Sequence, residues 1–486
     1  MDEERKSRII AYLRNQLTLS EERLKALTFD ERGQKLPQRD IYQTIKNYMS
    51  DFLAGKSEPR WLAVAGLRGV GKTTLLAQLF TNLEWDSRYK LYLSLDQTTD
   101  LGFSLPEILG VYEELLGATF ETLKVPVFLF LDEVQYQEKW ATTLKVIYDR
   151  TEKAKNEVFI FATGSSALSL QTNADAARRM VFEKIYPLGF AEYTHAKIQK
   201  ELPTSVSESI KKALFFSETA REAYEGLQKE TTAVTRFWVG IDRFEIDRYI
   251  KFGTLPFSLS SENESTIYQQ IRQTMDAVIE KDVSKLNAFD KQTLSKLSQL
   301  LYAVAGADIV SNLKLADTLH LDQKTINQAL EALEKAEVIL RILPYGAHYS
   351  QVKKPSKYLF TSSAYRAMYY NLVGSVEQYE NYKGKLLEDV MGMYLTRLFG
   401  SKLGLTSLTY DSAEFGADFI LETRPQGGKI VIEAGMGNKK KKGFDQVANT
   451  LSKVQGKYGL VVSQMSLAID EEANCVSVPL EYFLLL

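Results

Sequence analysis

Residues Trp61-Leu-Ala-Val-Ala-Gly66-Leu-Arg-Gly69-Val-Gly71-Lys72-Thr73-Thr74-Leu75-Leu76 decide how this chain is read. An apolar run stops at Gly66. Gly71-Lys72-Thr73 follows after a four-residue spacer, and a helical pattern then begins. This is the spacing of a phosphate-binding loop, G-x-x-x-x-G-K-[ST], in a strand–loop–helix setting. Glycines let backbone N–H groups turn inward around phosphates, and the helix N-terminus adds positive partial charge. Gly66, Arg68, Gly69, Val70, Gly71, Lys72, Thr73 and Thr74 are thus expected to hold a nucleoside triphosphate. Lys72 reaches the β- and γ-phosphates, and the Thr73 hydroxyl ligates Mg²⁺. The bland alternative, a glycine turn before an ordinary helix, does not account for both flanks.

The second signal is Val125-Pro-Val-Phe-Leu-Phe-Leu131-Asp132-Glu133. A continuous apolar run is a strand buried on both faces, as in a parallel sheet. Carboxylates at its C-terminal end stand where ligands bind in open α/β sheets. Asp132 is the candidate for supporting Mg²⁺, and Glu133 the candidate base for the attacking water. A further strand, Glu157–Ala162, runs into Thr163-Gly-Ser-Ser166. Thr163 or Ser165 there is placed to bind a γ-phosphate or the water; a capped turn is the competing explanation.

Outside these motifs, composition mainly excludes. Charged residues are 25%, hydrophobic residues 45% and the formal net charge −2. No global field draws such a chain to nucleic acid or membrane, so any such contact is a local patch. One cysteine, Cys475, excludes an intramolecular disulfide framework. Three scattered histidines argue against a zinc hydrolase. The charged start and the absence of any run near the ~18 apolar residues of a membrane span suggest a cytoplasmic protein with no membrane partner. No Asn-Lys-x-Asp guanine reader occurs, which favours ATP over GTP.

Gly-Leu-Arg-Gly-Val-Gly-Lys-Thr-Thr, Phe-Leu-Asp-Glu-Val-Gln-Tyr, Ala-Thr-Gly-Ser-Ser and Ile185-Tyr-Pro-Leu-Gly-Phe-Ala-Glu192-Tyr together resemble the prokaryotic and archaeal AAA-like ATPases related to the signal-transduction (STAND) NTPases. The likeness implies an ATPase core followed by a winged helix and a C-terminal domain of restriction-endonuclease-like fold. It also implies an arginine before the Pro-Leu-x-Phe segment that senses the γ-phosphate or acts in trans. Arg179 of the Arg178-Arg179 pair best matches that position, with a surface helix pair as the alternative. Phe252-Gly-Thr-Leu-Pro256 is similar to the family's Gly-x-x-Pro turn, with Thr254 in place of one glycine.

The rest of the chain is read at lower resolution. Ile9, Ile10, Leu13 and Leu17, then Ile41, Ile45, Met49 and Leu53, form helical stripes on either side of Pro37. They suit either a pre-segment beside the nucleotide or simple cover for the sheet. Residues 291–348 follow a helix–helix–helix–wing pattern, with Asp322 capping the third helix. Lys324, Asn327 and Gln328 are its candidate base-reading residues, but Glu331 and Glu334 follow, and an interaction or gating domain is the alternative. Lys353, Lys354 and Lys357 are expected to form a basic patch after the wing. In the last unit Glu388, Asp418 and Glu433 match the acidic positions of the restriction-endonuclease-like pattern. Asp418 and Glu433 are candidates for a second Mg²⁺ site. The pattern's lysine position is occupied by Gly435, so the domain reads as degenerate. Lys439–Lys442 either substitutes for that lysine, contacts phosphates or is a solvated turn.

The expected fold is therefore α/β: a P-loop NTPase parallel sheet with a helical lid, a winged helix domain and a small α/β restriction-endonuclease-like C-terminal domain. The expected divisions are 1–59 helical segment, 60–195 ATPase core, 196–290 lid and insertion, 291–360 winged helix and 361–486 C-terminal domain. The expected function is a Mg²⁺-dependent ATP-hydrolysing molecular switch, with Lys72, Glu133 and Arg179 catalytic. Duplex DNA, bound through the winged helix and Lys439–Lys442, a protein partner and a homo-oligomer are the expected associations. An ATP-gated nuclease in DNA processing or defence, and a non-catalytic ATP-dependent DNA-binding regulator, are the competing expectations.

Overall fold

Five strands form one parallel sheet: β1 (Trp61–Ala65), β2 (Lys90–Ser94), β3 (Val127–Asp132), β4 (Val158–Gly164) and β5 (Val181–Lys184). Their order is β2-β3-β4-β1-β5. β1, β3 and β4 are buried along their whole length, as the unbroken apolar runs require. β5 is half-buried at every position and carries no such run, so it escapes sequence reading. The computed structural model describes residues 1–56, 58–154, 158–164, 178–286, 289–307, 309–346, 354–371, 376–400, 406–423, 428–435 and 440–486. Ser165, Lys353 and Lys439 lie outside them. The chain divides into two units, Met1–Ile185 and Tyr186–Leu486.

In the first unit, helix α1 (Glu3–Ala26) buries Ile9 and Leu13 in the core that holds Leu91, Leu93, Phe103 and Ile108. Arg5 pairs with Glu107 at 2.7 Å, and Lys90 donates to Glu21 at 2.8 Å. Helix α2 (Asp40–Leu53) packs Phe52 against Phe128 and Phe159. Residues 1–59 are therefore integral to the sheet's packing and do not form a separate segment. The buried stripe of α2 is Tyr42, Ile45, Met49 and Phe52, and Leu53 is exposed. A strict spacing of four drifts off a face that repeats every 3.6 residues, which is why the expected stripe fails at its end.

The second unit is built on a nine-stranded sheet. Its strands are β6 (Ile309–Val310), β7 (Ile339–Pro344), β8 (Ser356–Phe360), β9 (Thr406–Tyr410), β10 (Phe419–Thr423), β11 (Gly428–Ala434), β12 (Tyr458–Ser463), β13 (Ala468–Asp470) and β14 (Cys475–Pro479). The order is β13-β14-β12-β11-β10-β9-β7-β8-β6. β7 pairs with β9 through Leu343↔Thr409 and Pro344↔Tyr410. That pairing joins residues 309–360 to the C-terminal strands in one sheet, so the expected boundary at 360/361 is not a boundary in packing.

Residues on both sides of the expected boundary at 195/196 pack with the C-terminal region. The Phe190 amide donates to Tyr394 Oη at 2.6 Å, and Arg397 pairs with Glu192 at 2.6 Å, which ties 186–195 to helix Val376–Phe399. Tyr458 Oη donates to Leu214 O, Trp238 Nε1 to Glu481 O and Tyr482 Oη to Thr231 Oγ1. Helices Thr204–Phe215, Ala220–Lys229 and Thr231–Trp238 thus share an apolar core with the C-terminal strands. This gives residues 196–240 a structural role that their sequence did not disclose.

Candidate nucleotide site

The loop after β1 turns into helix α3 (Lys72–Asn82) through Gly71, whose φ is +96°. That conformation is open to glycine at little cost. Gly66 is required for another reason: a Cβ there would lie 2.2 Å from Ile185 O. The α3 N-terminus leaves its first amides and the positive end of its dipole facing the loop. Lys72 is buried, its ammonium donating to Gly66 O at 2.9 Å and Leu67 O at 3.1 Å. Arg68, Gly69, Thr73 and Thr74 are half-buried along the loop, and Val70 is buried.

The segment before α2 is tied to this loop. Arg39 Nη1 donates to Val70 O at 2.7 Å. Gln78 Nε2 of α3 donates to Leu36 O and Pro37 O at 3.0 and 3.2 Å. These bonds join residues 36–39 to the phosphate loop and α3, while α1 and α2 pack on the sheet. Arg39 was not singled out in the sequence, because nothing local distinguishes it from other surface arginines.

β4 lies between β1 and β3, with Thr163 level with Val64 of β1. This places Thr163 beside Asp132. Thr73 Oγ1 donates to Asp132 Oδ2 at 2.8 Å, and Thr163 Oγ1 donates to Asp132 Oδ1. Asp132 is 3% exposed. Burial, then the neighbouring Glu133 charge, pushes its carboxyl up to about 6; Thr163, Thr73 and Lys72 pull the other way. Asp132, Thr73 and Thr163 form a compact set of hard oxygen donors beside a phosphate loop, which fits Mg²⁺ carried on a nucleotide. Glu133 follows with φ +55°, an uncommon left-handed conformation for a residue with a Cβ. The bend turns the chain out of the strand into Val134–Tyr136, and the Glu133 carboxylate accepts from Gln135 Nε2. Arg179 is held bidentately by Asp149 of helix Trp140–Ala154 at 2.5 and 3.1 Å.

The raised Asp132 carboxyl has a sign that can be checked. Folded, it keeps its proton up to about 6, against an ordinary 3.8. Between those values the folded chain holds more protons than the unfolded one. Stability from this residue therefore falls as pH rises through the window, and stays lowered above it. Asp132→Asn removes the buried charge. Without nucleotide, it is expected to raise stability by about 2–3 kcal/mol at neutral pH. The gain shrinks toward nothing near pH 4. Thermal melts of both proteins across this range measure it; a variant less stable than wild type at neutral pH would refute it.

The C-terminal candidates also converge, with an addition. Lys357 of β8 lies 2.5 Å from Glu388 and 2.8 Å from Asp418. Lys357 is therefore not part of an exposed basic patch; its side chain is 6% exposed. Burial would push its ammonium down, but Asp418 and Glu388 outweigh that and hold it well above its ordinary value. Lys354 is exposed and donates to Ser412 at 3.0 Å. Among the described residues, no group of three or more His, Cys, Asp or Glu is arranged to hold a metal ion. Lys440–Lys442 open helix Lys440–Val454.

A family model covers the region of this site. Residues 58–194 match the family model of an AAA domain, and residues 243–371 match a domain of unknown function, DUF8612. Among solved structures, the Aeropyrum pernix Orc1 protein in complex with DNA shares 11% identity at a TM-score of 0.31, covering 67% of this chain and 90% of that one. AMPPCP-bound DnaA from Aquifex aeolicus shares 15% identity at 0.25, covering 62% and 89%. An uncharacterized Haemophilus influenzae protein is 24% identical over 31% of this chain and 37% of its own length. An uncharacterized Methanocaldococcus jannaschii protein, MJ1637, is 33% identical over 459 residues, 94% of this chain and 90% of that protein. With its phosphate loop, its buried acidic strand end and this full-length relative, the chain belongs to the MJ1637 family and carries an AAA domain of P-loop ATPase fold.

Proposed function

We propose that this protein is a Mg²⁺-dependent, ATP-hydrolysing molecular switch. The observation that carries the reading is the Asp132 carboxylate, buried at the end of β3 and bonded on one oxygen by Thr73 and on the other by Thr163. The loop amides and Lys72 bind the phosphates, Lys72 exchanging its two carbonyl partners for phosphate oxygens. Thr73 and Asp132 orient the metal, directly or through its water. Mg²⁺, when bound, neutralises charge on the phosphate oxygens during transfer. Glu133, one residue beyond the strand, accepts the proton of the attacking water. Thr163 reports the state of the γ-phosphate through Asp132. Arg179 joins this sensing by leaving Asp149 for a phosphate oxygen.

We further propose that residues 291–360 are a winged helix that meets duplex DNA. Helices Lys291–Gly306, Asn312–Leu319 and Gln323–Lys335 lead into β7 and β8, which pair antiparallel, and β6, between the first two helices, pairs antiparallel with β8. Asp322 caps the third helix by accepting from the Thr325 amide at 2.9 Å. Gln323, Lys324, Asn327 and Gln328 are exposed on its first turns, a donor-rich surface of the kind that reads base edges. Steady-state ATP turnover with and without duplex DNA tests both proposals. The expected result is a Mg²⁺-dependent rate that DNA changes, with binding that weakens steeply as salt rises. Absence of turnover under every condition sinks the hydrolytic reading. A rate indifferent to DNA, with no salt-sensitive binding, sinks the DNA reading and points to a protein partner.

A further inference from the structure

Two carboxylates of the second unit meet on one lysine, and a third accepts the backbone amide beside them. Glu388 comes from helix Val376–Phe399, Asp418 immediately precedes β10, and Glu433 stands near the end of β11. Such a cluster on a strand pair ordinarily calls for a divalent cation, because like charges brought together out of water repel strongly. Here the chain supplies a cation itself, from a strand 61 residues earlier.

Lys357 Nζ lies 2.5 Å from Glu388 Oε2 and 2.8 Å from Asp418 Oδ1. The Phe419 ring centroid is 5.3 Å away. The three protons of the ammonium thus have two carboxylates and an aromatic ring around them. The remaining Asp418 oxygen accepts from the Ala434 amide at 2.9 Å. Glu433 Oε2 accepts from the Asp418 amide at 3.3 Å. Both oxygens of Asp418, and one each of Glu388 and Glu433, are engaged by the lysine or by backbone amides. A divalent ion entering this cluster would meet the ammonium as a like charge. To make room, Lys357 would have to leave two carboxylates for a largely buried surrounding, which is costly. Mg²⁺ therefore does not fit these residues as they stand, and no hydrolytic step is assigned to them.

We infer that Lys357 occupies the cation position of the Glu388–Asp418–Glu433 cluster, closing it to divalent metal and clasping β8 to the β10–β11 pair. The lysine that the local pattern lacks at Gly435 is thus replaced in space by one that neutralises the site. The inference does not depend on ATP hydrolysis in the first unit. It separates this chain from an ATP-gated nuclease that cuts at these carboxylates.

The test uses the full chain without nucleotide, so that the phosphate loop carries no metal. Mn²⁺ binding is followed by electron paramagnetic resonance, and the melting temperature by calorimetry. Wild type is expected to bind no Mn²⁺ at the cluster and to melt independently of Mn²⁺. Lys357→Met should melt lower, bind Mn²⁺ about tenfold or more tightly than wild type, and regain melting temperature as Mn²⁺ rises. Adding Asp418→Asn to that variant should abolish the regain, and Lys357→Arg should remain indifferent to metal. Wild-type Mn²⁺ binding that Asp418→Asn removes would overturn the inference, as would Mn²⁺-dependent cleavage of DNA or RNA lost in the same variant. So would a folded Lys357→Met that gains no affinity. If Lys357→Met does not fold, the wild-type and Asp418→Asn pair decides alone.

Discussion

Replacing Glu133 by glutamine is expected to leave ATP bound and to slow its turnover by about 10²–10⁴-fold. The substitution keeps the size of the side chain and removes only the capacity to take a proton. Residue 133 sits at φ +55° and is half-buried, so the same bend must be kept by any replacement. Glutamine has the same backbone demands as glutamate, and its amide can still meet Gln135. The phosphate loop, Lys72 and the Asp132 cluster are untouched, so binding is retained. Lys72→Ala is the contrasting variant: it removes the one ammonium held inside the loop, and ATP affinity should fall with it. Calorimetric titration with ATP and steady-state phosphate release separate the two effects. An unchanged kcat in Glu133→Gln would remove this residue from the chemistry. Tight ATP binding by Lys72→Ala would remove the loop from the phosphates.

Why the first unit was so legible follows from the kind of signal it carries. β1, β3 and β4 are buried on both faces and therefore spell unbroken apolar runs, and their C-terminal ends carry the loop, Asp132-Glu133 and Thr163. Local spelling and spatial position coincide there, because a parallel sheet puts all strand ends on one edge. β5 was not legible, since its four residues are each half-buried. In the second unit, the informative contacts are between residues far apart in the chain. Lys357 reads locally as the third of three nearby lysines, yet β8 is buried throughout and turns it onto Asp418. A charge run shows its composition but not which member is drawn inside. The unit boundary after Ile185 was equally hidden. The Pro-Leu-Gly-Phe segment is continuous in sequence with the ATPase motifs, but Phe190 and Glu192 bond to Tyr394 and Arg397, more than two hundred residues on.

Arg366→Ala or Asp389→Ala is expected to cost about 3–5 kcal/mol, the range for breaking a buried pair by removing one partner. Arg366 is 2% exposed and Asp389 0%. All five guanidinium N–H groups have partners. Nε and Nη2 donate to the two oxygens of Asp389 at 2.6 and 2.9 Å, and Nη2 also reaches Tyr358 O at 3.3 Å. Nη1 donates to Ala305 O at 2.6 Å and to Val304 O at 3.4 Å. Asp389 Oδ1 additionally accepts the Phe360 amide at 2.8 Å. The pair thus joins the end of helix Lys291–Gly306, strand β8, helix Ser363–Asn371 and helix Val376–Phe399. Losing Asp389 leaves both a buried guanidinium and a buried amide without their acceptor; losing Arg366 leaves a buried carboxylate. Asp389→Asn should be milder, because it keeps an oxygen for the Phe360 amide. Arg366→Met with Asp389→Leu should recover part of the loss, since no charge is then stranded. Recovery stays partial because the Phe360 amide is still unpaired, whereas Ala305 O keeps its bond from Tyr370 Oη at 2.7 Å. Urea denaturation gives the energies, and amide exchange across 356–371 shows whether the loss is local to this junction. If Arg366→Ala left both the denaturation midpoint and that exchange unchanged, the junction would not be held by the pair. Residues 291–360 and the C-terminal strands would then be coupled through the β7–β9 pairing and apolar packing alone.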